Sequence, residues 1–366
     1  MRKGMIILAS ALLISGTAVG GQEESKAWEM MRELIAIPGV SGQEGRVADV
    51  IQKLLPRNLD VRRDDMDNVW FTVGSGKPHL LFVAHTDELG WIVDEITSEG
   101  RIKVKPRGSL LPRTAEARSV HVFTEKGPVP GIVAPRTGYH LRRSGNPAAF
   151  TVADIEIDLG VETEREAREL GVIEGCQITV KKHLVDLSPD ILAARAVDDR
   201  AGCAVLLDAA LRQDWSRISA KTITMAWDVQ EEIGLYGASA LAKILKPDYV
   251  FAVDTFVSSD SPLESKRFAN LPLGHGAVIR AVDSSTIAPR IHVQRVLSLA
   301  RSRGIPVQVG NTRGGNDGSV FLAGGSVNIP LSWPGAYSHS FIEKIHRQDL
   351  EALTDLVLAI IGEWNH

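Results

Sequence analysis

Leu80-Leu81-Phe82-Val83-Ala84-His85-Thr86-Asp87-Glu88 is the stretch that decides the fold. Its opening apolar run does not alternate and is too short for a helix. It reads as a strand buried on both faces, as in a parallel sheet. An imidazole and two carboxylates follow at once. Three more segments repeat the pattern: Thr222–Val229 before Glu231-Glu232, Tyr249–Val253 before Asp254, and Val327–Leu331 a short loop before His339. Helical stretches separate or follow them at Ala201–Arg212, Ala238–Leu245, His292–Ser302 and Gln348–Trp364. Two more, Glu23–Leu34 and Gln43–Leu55, flank the turn formers Ile37-Pro38-Gly39-Val40-Ser41-Gly42. Strand alternating with helix predicts an α/β fold, a doubly wound and mostly parallel sheet covered on both faces.

From Trp91 to about Leu187 the pattern changes. Short alternating stretches at Trp91–Ile96, Arg101–Lys105, Ser119–Thr124, Gly131–Val133, Asp154–Leu159 and Gln177–Lys182 are punctuated by Gly and Pro. The clear helix among them is Glu164–Leu170. This predicts a small β-rich domain over 92–187, inserted into an α/β domain built from 21–91 and 188–366. A chain of 366 residues has room for about two domains.

Hydrophobic residues at 44% and charged residues at 23% fit a globular protein and exclude disorder, coiled coil and collagen. The net charge is −4 and no basic block stands out, so nucleic acid is not an expected partner. The two cysteines, Cys176 and Cys203, read as buried thiols. Residues 1–20 read as a signal peptide: Arg2 and Lys3, then an apolar run from Met5 to Ile14, then Gly16, Ala18 and Gly20. The run is short for a bilayer, so the expectation is a secreted or periplasmic protein with no stable membrane anchor after cleavage.

In an open α/β sheet, ligands gather at the carboxyl ends of the strands. His85, Asp87, Glu231, Glu232, Asp254 and His339 all fall there, and Asp198-Asp199-Arg200 precedes the helix that begins near Ala201. Singly, Asp198-Asp199 could cap a helix and Glu231-Glu232 could be a solvated turn. Together and in this order they read as one centre. Two imidazoles with three carboxylates suit two divalent cations, zinc before cobalt or manganese, and not calcium. Asp87 can receive the His85 ring N–H and fix its tautomer. The other eight histidines, such as His79, His121 and His275, lack this context and read as surface or structural.

Four motifs carry a family resemblance. Ala84-His85-Thr86-Asp87-Glu88-Leu89-Gly90 resembles the first metal motif of the tetrahedral (TET) aminopeptidases, the glutamyl and deblocking aminopeptidases. Val197-Asp198-Asp199-Arg200-Ala201-Gly202-Cys203 resembles their bridging-aspartate motif, and Val229-Gln230-Glu231-Glu232-Ile233-Gly234 their base-and-ligand pair. Tyr337-Ser338-His339-Ser340 resembles the last ligand motif. Gly314-Gly315-Asn316-Asp317 is similar to the family's Gly-Gly-Thr-Asp stretch with Asn316 substituted, and Phe341 stands where many members have proline. The insert lies between His85 and Asp198, the TET arrangement; related carboxypeptidases place theirs later in the chain.

The resemblance implies a zinc-peptidase-like fold and a di-metal aminopeptidase acting on peptides. His85 and Asp254 would hold one metal, Glu232 and His339 the other, and Asp198 would bridge them. Glu231 would be the general base toward a metal-bridging water, with Asp87 assisting. The family's insert makes dimers that build a tetrahedral dodecamer, so a homo-oligomer is expected. The Asp198–Asp199 peptide bond is expected to be cis, as in related di-metal peptidases. A co-catalytic carboxypeptidase or deacylase is the alternative enzyme. A secreted metal-binding protein without turnover is the other alternative, and it has no need of Glu231.

Overall fold

The structure, a computed structural model, describes residues 25–136, 150–263, 265 and 269–365. The expected signal peptide, 1–20, lies outside them. Among the described residues, no helix is long and apolar enough to cross a membrane.

The main sheet holds β1 (Arg62–Arg63), β2 (Val69–Val73), β3 (His79–His85), β12 (Thr222–Asp228), β13 (Tyr249–Ala252) and β17 (Val327–Asn328). Its order is β1-β2-β12-β3-β13-β17. The β12, β3, β13 and β17 neighbours run parallel, while β1 and β2 form an antiparallel edge. Successive side chains of β3 feed two cores. Leu80, Phe82 and Ala84 face the larger one, under helices Ala27–Ala36, Gly45–Leu54, Val197–Arg212, Arg290–Ser302 and Arg347–Glu363. Leu81 and Val83 face the smaller one, under helix Tyr236–Ile244 and the 3-10 turn Asp317–Gly324. Phe82 stacks on Phe251 across β3 and β13 with ring centroids 5.1 Å apart. Burial on both faces explains the uninterrupted apolar runs.

The strands of the inserted region close into a barrel. They are β4 (Gly90–Ile96), β5 (Ile102–Arg107), β6 (Ser119–Thr124), β7 (Gly127–Val133), β8 (Glu156–Asp158) and β9 (Gln177–Val180), in the order β4-β5-β8-β7-β6-β9. Trp91, Val93, Ile102, Val104, Val120, Val122, Ile157 and Ile178 fill its interior. Closure removes the free sheet edges an open insert would expose. Phe341, from the other part of the chain, packs on Trp91 at 5.5 Å between centroids.

Smaller sheets complete the rim: β10 (Val185–Ser188), β11 (Ile191–Ala194) and β20 (Glu343–His346); β14 (Phe256–Val257) with β19 (Pro334–Gly335); and β15 (Ala277–Val282) between β16 (Val307–Asn311) and β18 (Leu331–Ser332). Two sequence expectations need correction. Val327–Leu331 is not one strand: β17 pairs with β13, the chain then passes Pro330, and β18 joins β15 in another sheet. Proline has no N–H to donate to a ladder, so the run breaks there. Cys203 is buried, but Cys176 is only partly so, and both are free thiols.

Candidate metal centre

Parallel register lines up the carboxyl ends of the three central strands. His85 lies opposite Asp228 of β12, and Ala252 of β13 lies opposite Val83. The chain beyond each strand end therefore enters the same crevice. Thr86 is held there by its N–H and hydroxyl, which donate to the Asp228 carbonyl at 2.8 and 2.7 Å.

The paired aspartates divide the labour. Asp199 accepts from the Gly202 N–H at 3.0 Å, as a helix-capping residue does, and from the His85 N–H at 3.1 Å. A Cβ on residue 202 would meet Asp199 Oδ1 at 2.3 Å, so this approach requires glycine. Asp198 faces the crevice instead, and the Asp198–Asp199 bond is cis. His85 Nε2 lies 3.3 Å from Asp198 Oδ1.

Asp87 grips the turn after β12. Its Oδ1 accepts from Glu231 N at 3.0 Å, and its Oδ2 accepts from Glu232 N at 3.2 Å and from the Ser41 hydroxyl at 2.6 Å. Its Oδ1 also lies 3.4 Å from His85 Nδ1. Glu44 accepts from Gln230 N at 3.0 Å, where the backbone has φ of 58°. Glu343 makes a second clamp, accepting from Asp198 N and His339 N, each at 3.1 Å. His339 itself sits at φ of 58°, a left-handed conformation that a bulky residue adopts only when its surroundings enforce it.

His85, Asp198 and Glu232 bring ligand atoms within 4.8 Å of one another. His339 Nε2 approaches them, 3.7 Å from Glu232 Oε2 and 3.9 Å from Asp198 Oδ2. Asp254 stands outside the tightest cluster, its Oδ2 accepting from Arg280 at 2.9 Å. Asp87 and Glu231 lie beside the cluster, Asp87 through His85 and the backbone N–H groups of both glutamates.

The electrostatics ask for cations. Burial, with Asp317, Glu232 and Asp254 nearby, pushes the Glu231 carboxyl well above the carboxylate range. Burial and Asp198 do the same to Glu232. Burial also raises Asp254 against the pull of Arg280. Glu232 Oε1 is buried with no hydrogen-bond partner. A group of carboxylates that desolvate and repel one another, set beside imidazoles and including an orphaned acceptor atom, fits divalent metal ions.

Sequence reasoning passed over Ser41, Glu44, Glu343 and Arg280. Ser41 lies in the segment that read only as a helix breaker, and Glu343 falls four residues after His339. Arg280 interrupts the apolar run of β15, and an arginine inside a strand of that kind was the available signal.

Fold and site together define a metal-dependent peptidase. The family model for the M42 glutamyl aminopeptidases matches residues 67–356, and the chain belongs to that family of metallo-aminopeptidases. It is similar to the lysyl aminopeptidase of Pyrococcus furiosus, 29% identical over 347 residues, covering 92% of this chain and 97% of that one. The glutamyl aminopeptidase of Lactococcus lactis is 27% identical, with 92% and 96% covered. Among solved structures, the Pyrococcus horikoshii TET1 peptidase, which can assemble into a tetrahedron or a large octahedral shell, is 36% identical with a TM-score of 0.84, over 92% of this chain and 99% of that one. The TET aminopeptidase of a marine sediment Thaumarchaeota archaeon reaches 0.88 at 28% identity, over 93% and 97%.

Proposed function

We propose that this chain removes the N-terminal residue from peptides with two divalent cations, zinc foremost, and Glu231 as general base. His85 and Asp254 would hold one cation, Glu232 and His339 the other, with Asp198 between them. When bound, the pair would lower the pKa of a water and polarise the peptide carbonyl. Glu231 takes the proton from the attacking water and returns it to the departing amine. Asp87 holds the Glu231 and Glu232 backbone N–H groups on its two oxygens, and this observation carries the reading. It sets base and ligand in a fixed relation, so one turn serves both roles. Asp87 also orients His85.

Two further readings belong to this proposal. The barrel would be the assembly domain of a homo-oligomer, with a dodecamer as the proposed form; a TET1 peptidase solved as a dodecamer supports assembly of this kind. The leader over 1–20 would export the protein to the periplasm or medium. Light scattering and N-terminal sequencing test these.

The activity itself is tested on aminoacyl anilides beside the same compounds N-acetylated. The free-amine substrates should be hydrolysed, a chelator should abolish turnover, and zinc, cobalt or manganese should restore it. Equal rates on the blocked compounds would overturn the aminopeptidase reading.

A further inference from the structure

Arg280 is fully buried on β15, with 2% of its surface exposed. A guanidinium in that position must have its charge and donors met nearby. Nη1 donates to Asp254 Oδ2 at 2.9 Å and to the Thr255 carbonyl at 3.1 Å. Nη2 donates to the Gly315 carbonyl at 2.5 Å. Nε lies 3.1 Å from Asp283 Oδ2. That same Asp283 oxygen accepts from Asn316 Nδ2 at 2.8 Å, and Ser284 N donates to the Gly314 carbonyl at 3.0 Å. Asn316 Oδ1 in turn accepts from Gly318 N and Asn328 Nδ2, at 3.0 and 2.8 Å. The Gly314-Gly315-Asn316-Asp317 stretch, which the proposed chemistry leaves without a role, is thus wired to Asp254 through one planar group.

We propose that Arg280 is a positioning residue: it reserves Asp254 Oδ2 for itself, leaves Oδ1 for a cation, and fixes that oxygen against the Gly314–Asp317 loop. This rests on the two-cation reading above. A carboxylate with both oxygens free can rotate, chelate or swing toward its neighbours. One held on a single oxygen by a guanidinium that is itself anchored to the Thr255 and Gly315 carbonyls presents its other oxygen at a set angle. Groups that orient a ligand in this way alter metal affinity by about 10- to 100-fold. Arg280 also places a fixed positive charge beside Asp254 and opposes the burial that raises its carboxyl.

The test is a titration of the metal-stripped full-length protein with cobalt, read by calorimetry. The wild type should take up two ions per chain. In R280M one dissociation constant should rise about 10- to 100-fold while the other stays unchanged. R280K keeps a charge but reaches Asp254 or Gly315 and not both, so it should shift the same constant less. N316A leaves Arg280 and Asp254 intact and should move that constant in the same direction by a smaller factor. Circular dichroism identifies a variant that fails to fold; if R280M does, R280K and N316A decide. Two unchanged constants in folded variants would overturn the proposal. A wild type that binds a single cobalt overturns the two-cation reading instead, and Arg280 then stands or falls on whether that single constant moves.

Discussion

Asp87 and Glu88 are adjacent in the chain, both fully buried, and they bond to different clusters of charge. Glu88 is surrounded by cations of its own chain. Its Oε1 lies 2.7 Å from Lys182 Nζ and accepts from Gly39 N at 3.0 Å, and its Oε2 lies 3.2 Å from Arg195 Nε. Arg200 Nη2 is 3.7 Å away. Burial alone would push this carboxyl up, but Lys182, Arg195 and Arg200 overcome it and hold Glu88 at about 2. Asp87 belongs to the other cluster, where Asp198, Glu231, Glu232 and Asp254 gather with far fewer cationic partners. The first cluster draws its countercharge from the chain itself and joins the exit of the barrel at Lys182 to the segment at Gly39. The second is balanced by ions the chain must acquire. Asp87 and Glu88 themselves are equally buried. Which side supplies the countercharge separates a structural joint from a binding centre.

The widest gap between the two should appear when each loses one carboxylate. Glu88→Gln leaves Arg195 and Arg200 without their anion, beside a Lys182 that burial already pulls down to about 7, and breaking a buried pair from one side costs about 3–5 kcal/mol. Urea unfolding should show a loss of that size, with metal content unchanged. A loss below about 1 kcal/mol would mean the joint is not held by charge.

Glu231→Gln makes the opposite kind of change. It removes a proton acceptor from a cluster already crowded with carboxylates and keeps the side-chain volume. Turnover should fall at least about 100-fold, the scale of a lost general base, while stability and a content of two metals per chain hold. Glu232→Gln should instead release metal and regain part of its activity in excess metal by mass action. Metal loss in Glu231→Gln and retention in Glu232→Gln would mean that the two roles are reversed.

The sheet and its strand ends were legible because strands buried on both faces must be apolar throughout, so polar residues after them stand out. Of the proposed ligands, His85, Glu232 and Asp254 stood out for the same reason, while Asp198 opens a helix and His339 follows a divided run. The clamps that hold them were not. Asp198 and Asp199 look alike in the local pattern and differ there only through the family resemblance; the Gly202 and His85 N–H contacts are what mark Asp199 as the capping member. Arg280 acts from β15, whose partner β18 comes from the run over Val327–Leu331 that divides between two sheets, and Glu343 acts from β20, which pairs with the distant β11. Glu88 read as one more acid in a metal motif. Its cations come from Lys182, Arg195 and Arg200, brought to it by barrel closure and by the helix at Val197, and no local spacing announces that.

The smallest effect tests the sign of the first cluster's contribution. Glu88 has a folded pKa of about 2 against an ordinary 4.5. Its contribution to stability is complete above about 4.5, where the residue is ionised in both states. As the pH falls from 4.5 toward 2, the unfolded chain takes up the proton first, and that contribution is lost. One proton of difference sets a slope of at most about 1.4 kcal/mol per pH unit. The measurement is urea unfolding of the metal-free protein between about pH 6 and pH 3, so that ion release from the other cluster does not enter. Stability of the wild type should fall more steeply with acid than that of Glu88→Gln, which has no proton to take up at this position. The two curves should run parallel above about pH 5 and converge below it. Curves that stay parallel throughout would mean that Glu88 titrates normally in the folded chain, and that Lys182, Arg195 and Arg200 do not act on it as their distances require.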